Sequence, residues 1–119
     1  MTFKVTEPAA RDIAQILRET MKMFGAAQLA AYQKIIQQGL DLIRQQPERP
    51  GSIEREDIAP GVRLFHLELA AARSRGAAHC LLYKTGGGTT IILRVLHEHM
   101  EPRGKVLYSL RKEEPPQRP

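Results

Sequence analysis

Two kinds of side chain in this sequence can act on a phosphate or a proton. Arg63, Lys84 and Arg94 fall on strand-like runs and can hold a phosphate. His97 and His99, within His97-Glu98-His99, can move a proton. A metal-free nuclease needs little more, so RNA cleavage is one reading. Against it, local spacing fixes no pair of these residues, and solvated cations are common on strands. His66 would make a third imidazole, but no acidic or cysteine partner is spaced to complete a zinc site. We expect neither metal nor cofactor, and a hydrogen-bonding role for His97 at a strand end. Lys84-Thr85-Gly86-Gly87-Gly88-Thr89-Thr90 is rich in glycine and hydroxyls. A phosphate-binding P-loop puts lysine after the glycines, where a strand meets a helix. Here lysine comes first and strands flank the run, so a hairpin loop is expected.

The elements that must position these groups belong to one domain of 119 residues. Hydrophobic residues make up 42% and charged residues 26%, so the chain can bury a core and wholesale disorder is excluded. The longest apolar stretches are short and interrupted by charge, so no membrane-spanning helix is expected. The single cysteine, Cys80, excludes an internal disulfide. The start of the chain does not read as a signal peptide, which points to the cytoplasm. Net charge is +5, and residues 60–97 carry five basic side chains against one acidic. Such an excess suits an anionic partner, or simply a basic surface. A DNA-reading helix is not evident, because residues 26–46 offer only Lys34 and Arg44 as cations.

Phe3-Lys4-Val5 alternates like a short strand. Thr6 is a good N-cap, followed by Glu7 and Pro8. Ile13, Ile16, Leu17, Thr20, Met21 and Phe24 recur at helical spacing, and Gly25 ends that helix. Leu29, Tyr32, Ile36, Leu40 and Ile43 stripe a second helix over 26–46, with Gly39 allowing close packing on the first. Residues 47–61 read as a loop. Strands are expected over Val62–Leu69, His79–Thr85 and Thr89–His97, with a turn over Arg73–Gly76. The fold class is therefore α+β: an N-terminal strand, an α-helical hairpin, then a three-stranded antiparallel meander in one sheet. Residues 106–110 allow a short strand or helical turn, and 113–119 a disordered tail.

On the last strand, alternation puts Ile91, Leu93 and Val95 on one face and Ile92 and Leu96 on the other, around Arg94. Leu81 and Leu82 repeat this on the neighbouring strand. A sheet apolar on both faces must be covered on both, and one helical hairpin covers one. The segment around Val106–Leu110 or a partner protein must shield the other. A partner's amphipathic helix would suit such a groove, rimmed by Arg and His.

The order of elements, with particular residues, resembles the ParE toxins of type II toxin–antitoxin systems, within the RelE/ParE superfamily. The matching pieces are Thr6 through Asp12-Ile13, Phe24-Gly25 with Tyr32 and Ile36, Pro60-Gly61-Val62-Arg63, and His79-Cys80-Leu81-Leu82-Tyr83. The most specific stretch runs Ile91-Ile92-Leu93-Arg94-Val95-Leu96-His97-Glu98-His99-Met100-Glu101. The resemblance implies a RelE/ParE-like toxin domain over residues 1–101 and a partly disordered C-terminal extension over 102–119. It also implies inhibition of DNA gyrase and neutralisation by a ParD-like antitoxin, with operator DNA bound only through that antitoxin. RelE-type ribosome-dependent mRNA endoribonucleases use basic residues with a Tyr or His-Tyr near the sheet's C-terminal end. Here Met100 follows His99 and the next tyrosine is Tyr108, so that pattern is not met. The expectation is an inhibitor that acts by binding, with mRNA cleavage as the alternative. Arg63, Arg94, His97 and Met100 are the expected functional rim. Leu29, Tyr32, Ile36, Ile92 and Leu96 are candidates for antitoxin contact or for core, and plain helix packing is the simpler reading of Leu29 and Ile36.

Overall fold

The computed structural model describes residues 2–71 and 76–113. Strand β1 (Thr2–Val5) gives way to helix α1 (Glu7–Phe24) at Thr6. The Thr6 hydroxyl accepts the Ala9 N–H at 3.2 Å and donates to the Leu93 carbonyl at 3.0 Å. One side chain thus caps a helix and stitches it to the sheet. Gly25 closes α1 through its N–H to the Met21 carbonyl, and α2 (Ala26–Gln45) starts at the next residue. Strands β2 (Ile53–Glu54), β3 (Val62–His66), β4 (His79–Gly86) and β5 (Thr89–His97) follow, and helix α3 (Arg103–Glu113) ends the described chain. The sheet order is β1-β5-β4-β3-β2, with β1 parallel to β5 and the other pairs antiparallel.

The α+β class, the helical hairpin and the β3-β4-β5 meander are as expected. Gly87 and Gly88, both at positive φ, make the tight β4–β5 turn that short hairpins favour. Several details differ. The expected loop over 47–61 contains β2. The third strand stops at His66, because the His66 imidazole accepts the Glu68 N–H at 3.0 Å and turns Leu67–Ala70 into a 3-10 helix. Gly39 packs beneath Leu67 and Leu81 rather than on α1. The expected turn over Arg73–Gly76 and the expected tail over 113–119 fall mostly on residues 72–75 and 114–119, outside the described residues.

Faces are also assigned differently on β5. The β4–β5 register slips between Tyr83↔Ile92 and Leu82↔Arg94, so Leu93 is an extra residue on β5. Past this bulge the alternation inverts. Ile92 and Val95 share the face packed under α1 and α2, with Phe65, Leu81 and Tyr83. Leu93 and Leu96 share the opposite face with Val62, Cys80 and Leu82, and Ile91 packs against them. That second face is not bare. Helix α3 lies over it, with Val106 fully buried, and Ile58 from the β2–β3 loop joins the cluster. The cover anticipated for residues 106–110 is therefore a helix of 11 residues. It is incomplete: a groove of ≈ 580 Å³ remains beside it, lined by Ala59, Lys84, Ile91, Leu107 and Leu110 among others. Among the described residues, no helix is long and apolar enough to cross a membrane.

Candidate functional site

The C-terminal end of the sheet gathers all four histidines. His79 and His97 are cross-strand partners on β4 and β5. Their rings meet edge to face at 5.4 Å, Tyr32 of α2 lies 5.6 Å from His79, and His99 lies 5.3 Å from His97. The Tyr32 hydroxyl accepts the Ala78 N–H at 3.1 Å and shares a hydrogen bond of 2.6 Å with His79 Nδ1. His97 Nδ1 accepts the His99 N–H at 3.2 Å. His66 Nδ1 is occupied by the Glu68 N–H, and its Nε2 lies 2.6 Å from Glu98 Oε2. With Nδ1 accepting a backbone N–H in His66 and His97, the neutral form of each of these two rings carries its proton on Nε2. The hydrogen-bonding role expected for His97 is the one observed. Among the described residues no group of His, Cys, Asp or Glu is arranged to hold a metal ion.

Burial holds His79 below the usual imidazole range, and neighbouring His97 adds to the effect. Glu19 and Glu98 pull the other way, while His66 reinforces the depression. The hydrogen bond from His66 holds Glu98 below the ordinary carboxylate range. Burial pushes the Cys80 thiol up to about 11, so it is protonated at neutral pH. These directions fix a pH dependence. A base with a depressed folded pKa binds more protons unfolded than folded, so its contribution is complete above its ordinary value of 6.5 and is lost as pH falls below it. Glu98 acts in a lower window, with its contribution complete above 4.5 and lost as pH falls through its depressed value. Melting temperature should therefore decline as pH drops from about 7.5 to about 5.5, and His79→Gln should flatten that slope. An unchanged slope in the variant would refute the assignment to His79.

The expected rim residues are placed unequally. Arg94, Leu96, His97 and Met100 all line one pocket of ≈ 330 Å³, together with His79, Glu19 and Lys105. Met100 is exposed on its lip. Arg94 is committed to Asp12 of α1, with Nε–Oδ2 at 2.7 Å and Nη2–Oδ1 at 2.8 Å. Asp12 Oδ2 also accepts the Val95 N–H at 3.0 Å, on the stretch of β5 beyond its pairing with β1. Arg63 is elsewhere. Its Nε donates to Ser52 Oγ at 2.8 Å, within a chain that continues through the Tyr83 hydroxyl to the Pro47 carbonyl. Arg63 shares the hairpin face with its register partner Tyr83, whereas Lys84 lines the groove on the α3 face. The phosphate cradle imagined from Arg63, Lys84 and Arg94 is therefore not assembled. Of the five basic side chains expected to form a patch, Arg63 and Arg94 have partners, Lys84 lines the groove on the α3 face, and Arg73 and Arg75 lie outside the described residues.

Tyr32, Ile36, Ile92 and Leu96 are buried core. Leu29 is half-buried and lines a groove between α1 and α2, with Leu17 and Met21 and with Arg18 and Lys22 at its edge. Sequence reasoning missed His79, Glu19 and Lys105 at the pocket. The signal for His79 was its place at the start of one hairpin strand, with His97 at the end of the other.

The fold has solved counterparts. A chain described as "Chromosomal ParDE TA system from P. aeruginosa" matches with a TM-score of 0.60 and 22% identity, covering 82% of this chain and 95% of that one. No curated protein matches the chain. The family model described as "ParE toxin of type II toxin-antitoxin system, parDE" matches residues 3–102, from β1 through the turn after β5. That match spans most of the sequence, including every strand and the whole hairpin, and so the chain belongs to the ParE toxin family.

Proposed function

We propose that the chain inhibits DNA gyrase by binding it in the cytoplasm and is neutralised by a ParD-like antitoxin. Operator DNA would be engaged only through that antitoxin. The family match over residues 3–102 carries this reading. The pocket supports it, because Arg94, Leu96, His97 and Met100 converge at one end of the sheet. There they mix an apolar floor with polar donors, as protein-recognition surfaces do. Action by binding is also favoured over mRNA cleavage by the dispersed cations, since Arg63 and Arg94 already have partners and Lys84 is on the other face from Arg63.

A supercoiling assay run beside a translation-coupled mRNA cleavage assay tests the proposal. The expected result is inhibited supercoiling with intact mRNA, and the converse would overturn it. His97→Ala with Met100→Ala should weaken inhibition by about tenfold, with the melting temperature nearly unchanged, because both side chains are exposed.

A further inference from the structure

The turn between α1 and α2 carries apolar side chains that nothing covers. Gly25 reverses the chain there at φ 88°, and a Cβ at Gly25 would meet nothing within 4 Å. Met21, Met23 and Phe24 are 48, 72 and 67% exposed, and Ala26 and Ala27 beside them are exposed as well. Core packing does not account for side chains left in water, and an apolar cluster of this kind marks a contact surface. Hydrogen-bonding groups are scarce. Thr20 donates its hydroxyl to the Ile16 carbonyl at 2.7 Å. Among the described residues from Met21 to Ala31, Lys22 alone is both exposed and able to hydrogen-bond through its side chain. Charge is one-sided too. Residues 20–40 hold Lys22 and Lys34 as their only charges, with Arg18 just before them. None of these three makes an ion pair among the described residues. Glu19 turns away to line the pocket at the end of the sheet, held by Gln15 at 3.1 Å. The groove that Leu29 shares with Leu17 and Met21 has a volume of ≈ 600 Å³, and no acid is among its described lining residues.

We propose that this end of the hairpin is a peripheral membrane-contact element that seats on an anionic lipid surface. Met23 and Phe24 enter the acyl boundary. Arg18, Lys22 and Lys34 lay their stems along the apolar surface and hold their charges at headgroup level. Each cation adds attraction to an anionic leaflet. The groove between the helices accepts part of an acyl chain, and Arg18 and Lys22 at its edge meet the headgroup phosphate. A protein acceptor fits less well. Protein-recognition surfaces combine aromatic anchors with hydrogen-bonding groups, whereas a fluid acyl layer asks for no directional partner. Among the described residues no helix can cross the bilayer, so the contact stays on one surface. The inference stands on the hairpin alone and does not depend on gyrase being the target.

Vesicle binding by the full chain tests this. Vesicles containing phosphatidylglycerol should bind about tenfold more tightly than vesicles of phosphatidylcholine alone, and added salt should narrow the gap. Met23→Gln with Phe24→Gln should weaken binding to the anionic vesicles by about tenfold. Arg18→Gln with Lys22→Gln should remove most of the preference for phosphatidylglycerol. All four side chains are exposed, so these variants keep the fold. The sequence has no tryptophan, which makes Phe24→Trp a clean reporter. Its emission should shift to the blue on adding anionic vesicles and be quenched by brominated acyl chains. Tyr108→Trp, exposed on α3, should do neither. Absent binding to the anionic vesicles would end the proposal. So would binding that Met23→Gln with Phe24→Gln leaves unchanged, or quenching of both reporters alike, because either reduces the contact to a generally basic surface. Equal binding to phosphatidylcholine would remove the anionic specificity and overturn it. A blue shift of Phe24→Trp that grows with protein concentration in the absence of vesicles would assign the hairpin end to a second copy. Loss of supercoiling inhibition in lipid-free Met23→Gln with Phe24→Gln would assign it to the protein target. No gyrase enters the vesicle measurements, so their failure leaves the wild-type supercoiling result standing.

Discussion

Asp12→Ala should destabilise the fold by about 3 kcal/mol, on the order of a 10–15 °C fall in melting temperature for a domain of this size. The Asp12 and Arg94 side chains are 14% and 16% exposed, so their fork of two hydrogen bonds is largely withdrawn from water. Removing Asp12 strands the guanidinium. It also strands the Val95 N–H, which has Asp12 as its acceptor on the part of β5 that β1 does not reach. Removing Arg94 strands less, because Asp12 keeps the Val95 N–H. Arg94→Leu should accordingly cost about half as much, and the double variant Asp12→Leu with Arg94→Leu should cost less than Asp12→Ala alone. Chemical denaturation of the three variants measures this. Equal costs for the two single variants would show that the backbone hydrogen bond contributes nothing.

Gly39→Val should destabilise by a similar amount, about 3 kcal/mol. A Cβ at Gly39 would sit 2.3 Å from Leu67 Cδ2 and 3.6 Å from Leu81 Cδ1. Leu67 has nowhere to retreat, being fully buried under α2. The alanine variant separates two opposing effects. It gains roughly 1 kcal/mol of helix propensity and adds one methyl to a filled space, so its net cost should be about 1 kcal/mol. The order glycine, alanine, valine in falling stability is the expected outcome of a thermal melt. A stabilised alanine variant would show that Leu67 can move aside.

The helical hairpin and the meander could be read from the sequence because each rests on local signals. Thr6 and Gly25 bracket α1, the Ile16, Tyr32, Ile36 and Ile43 pattern marks the inward faces, and the glycine run marks a hairpin. The extension past Glu101 was read only as an undecided cover, because Val106, Leu107 and Leu110 fit a strand or a helix equally in so short a run. The helical outcome depends on a sheet face that only the tertiary fold presents. The pocket was partly legible. His97, Met100, Arg94 and Leu96 are close in sequence and remain close in space. Arg63 was grouped with them through charge alone, and Ser52 holds it on β3, two strands away from Arg94. His79 and Asp12 could not be assigned without knowing strand register and helix placement.

The additional residue at Leu93 works as a frameshift in three dimensions. Had pairing continued evenly from Tyr83↔Ile92, Arg94 would stand opposite Leu81, pointing a guanidinium into the densest part of the molecule, and His79 would face Leu96. Shifting the frame by one residue steers the charge to the margin where an aspartate meets it, and brings His97 opposite His79. Electrostatic order at this end of the protein is thus a by-product of a single inserted amide. Its deletion should scramble fold and pocket together.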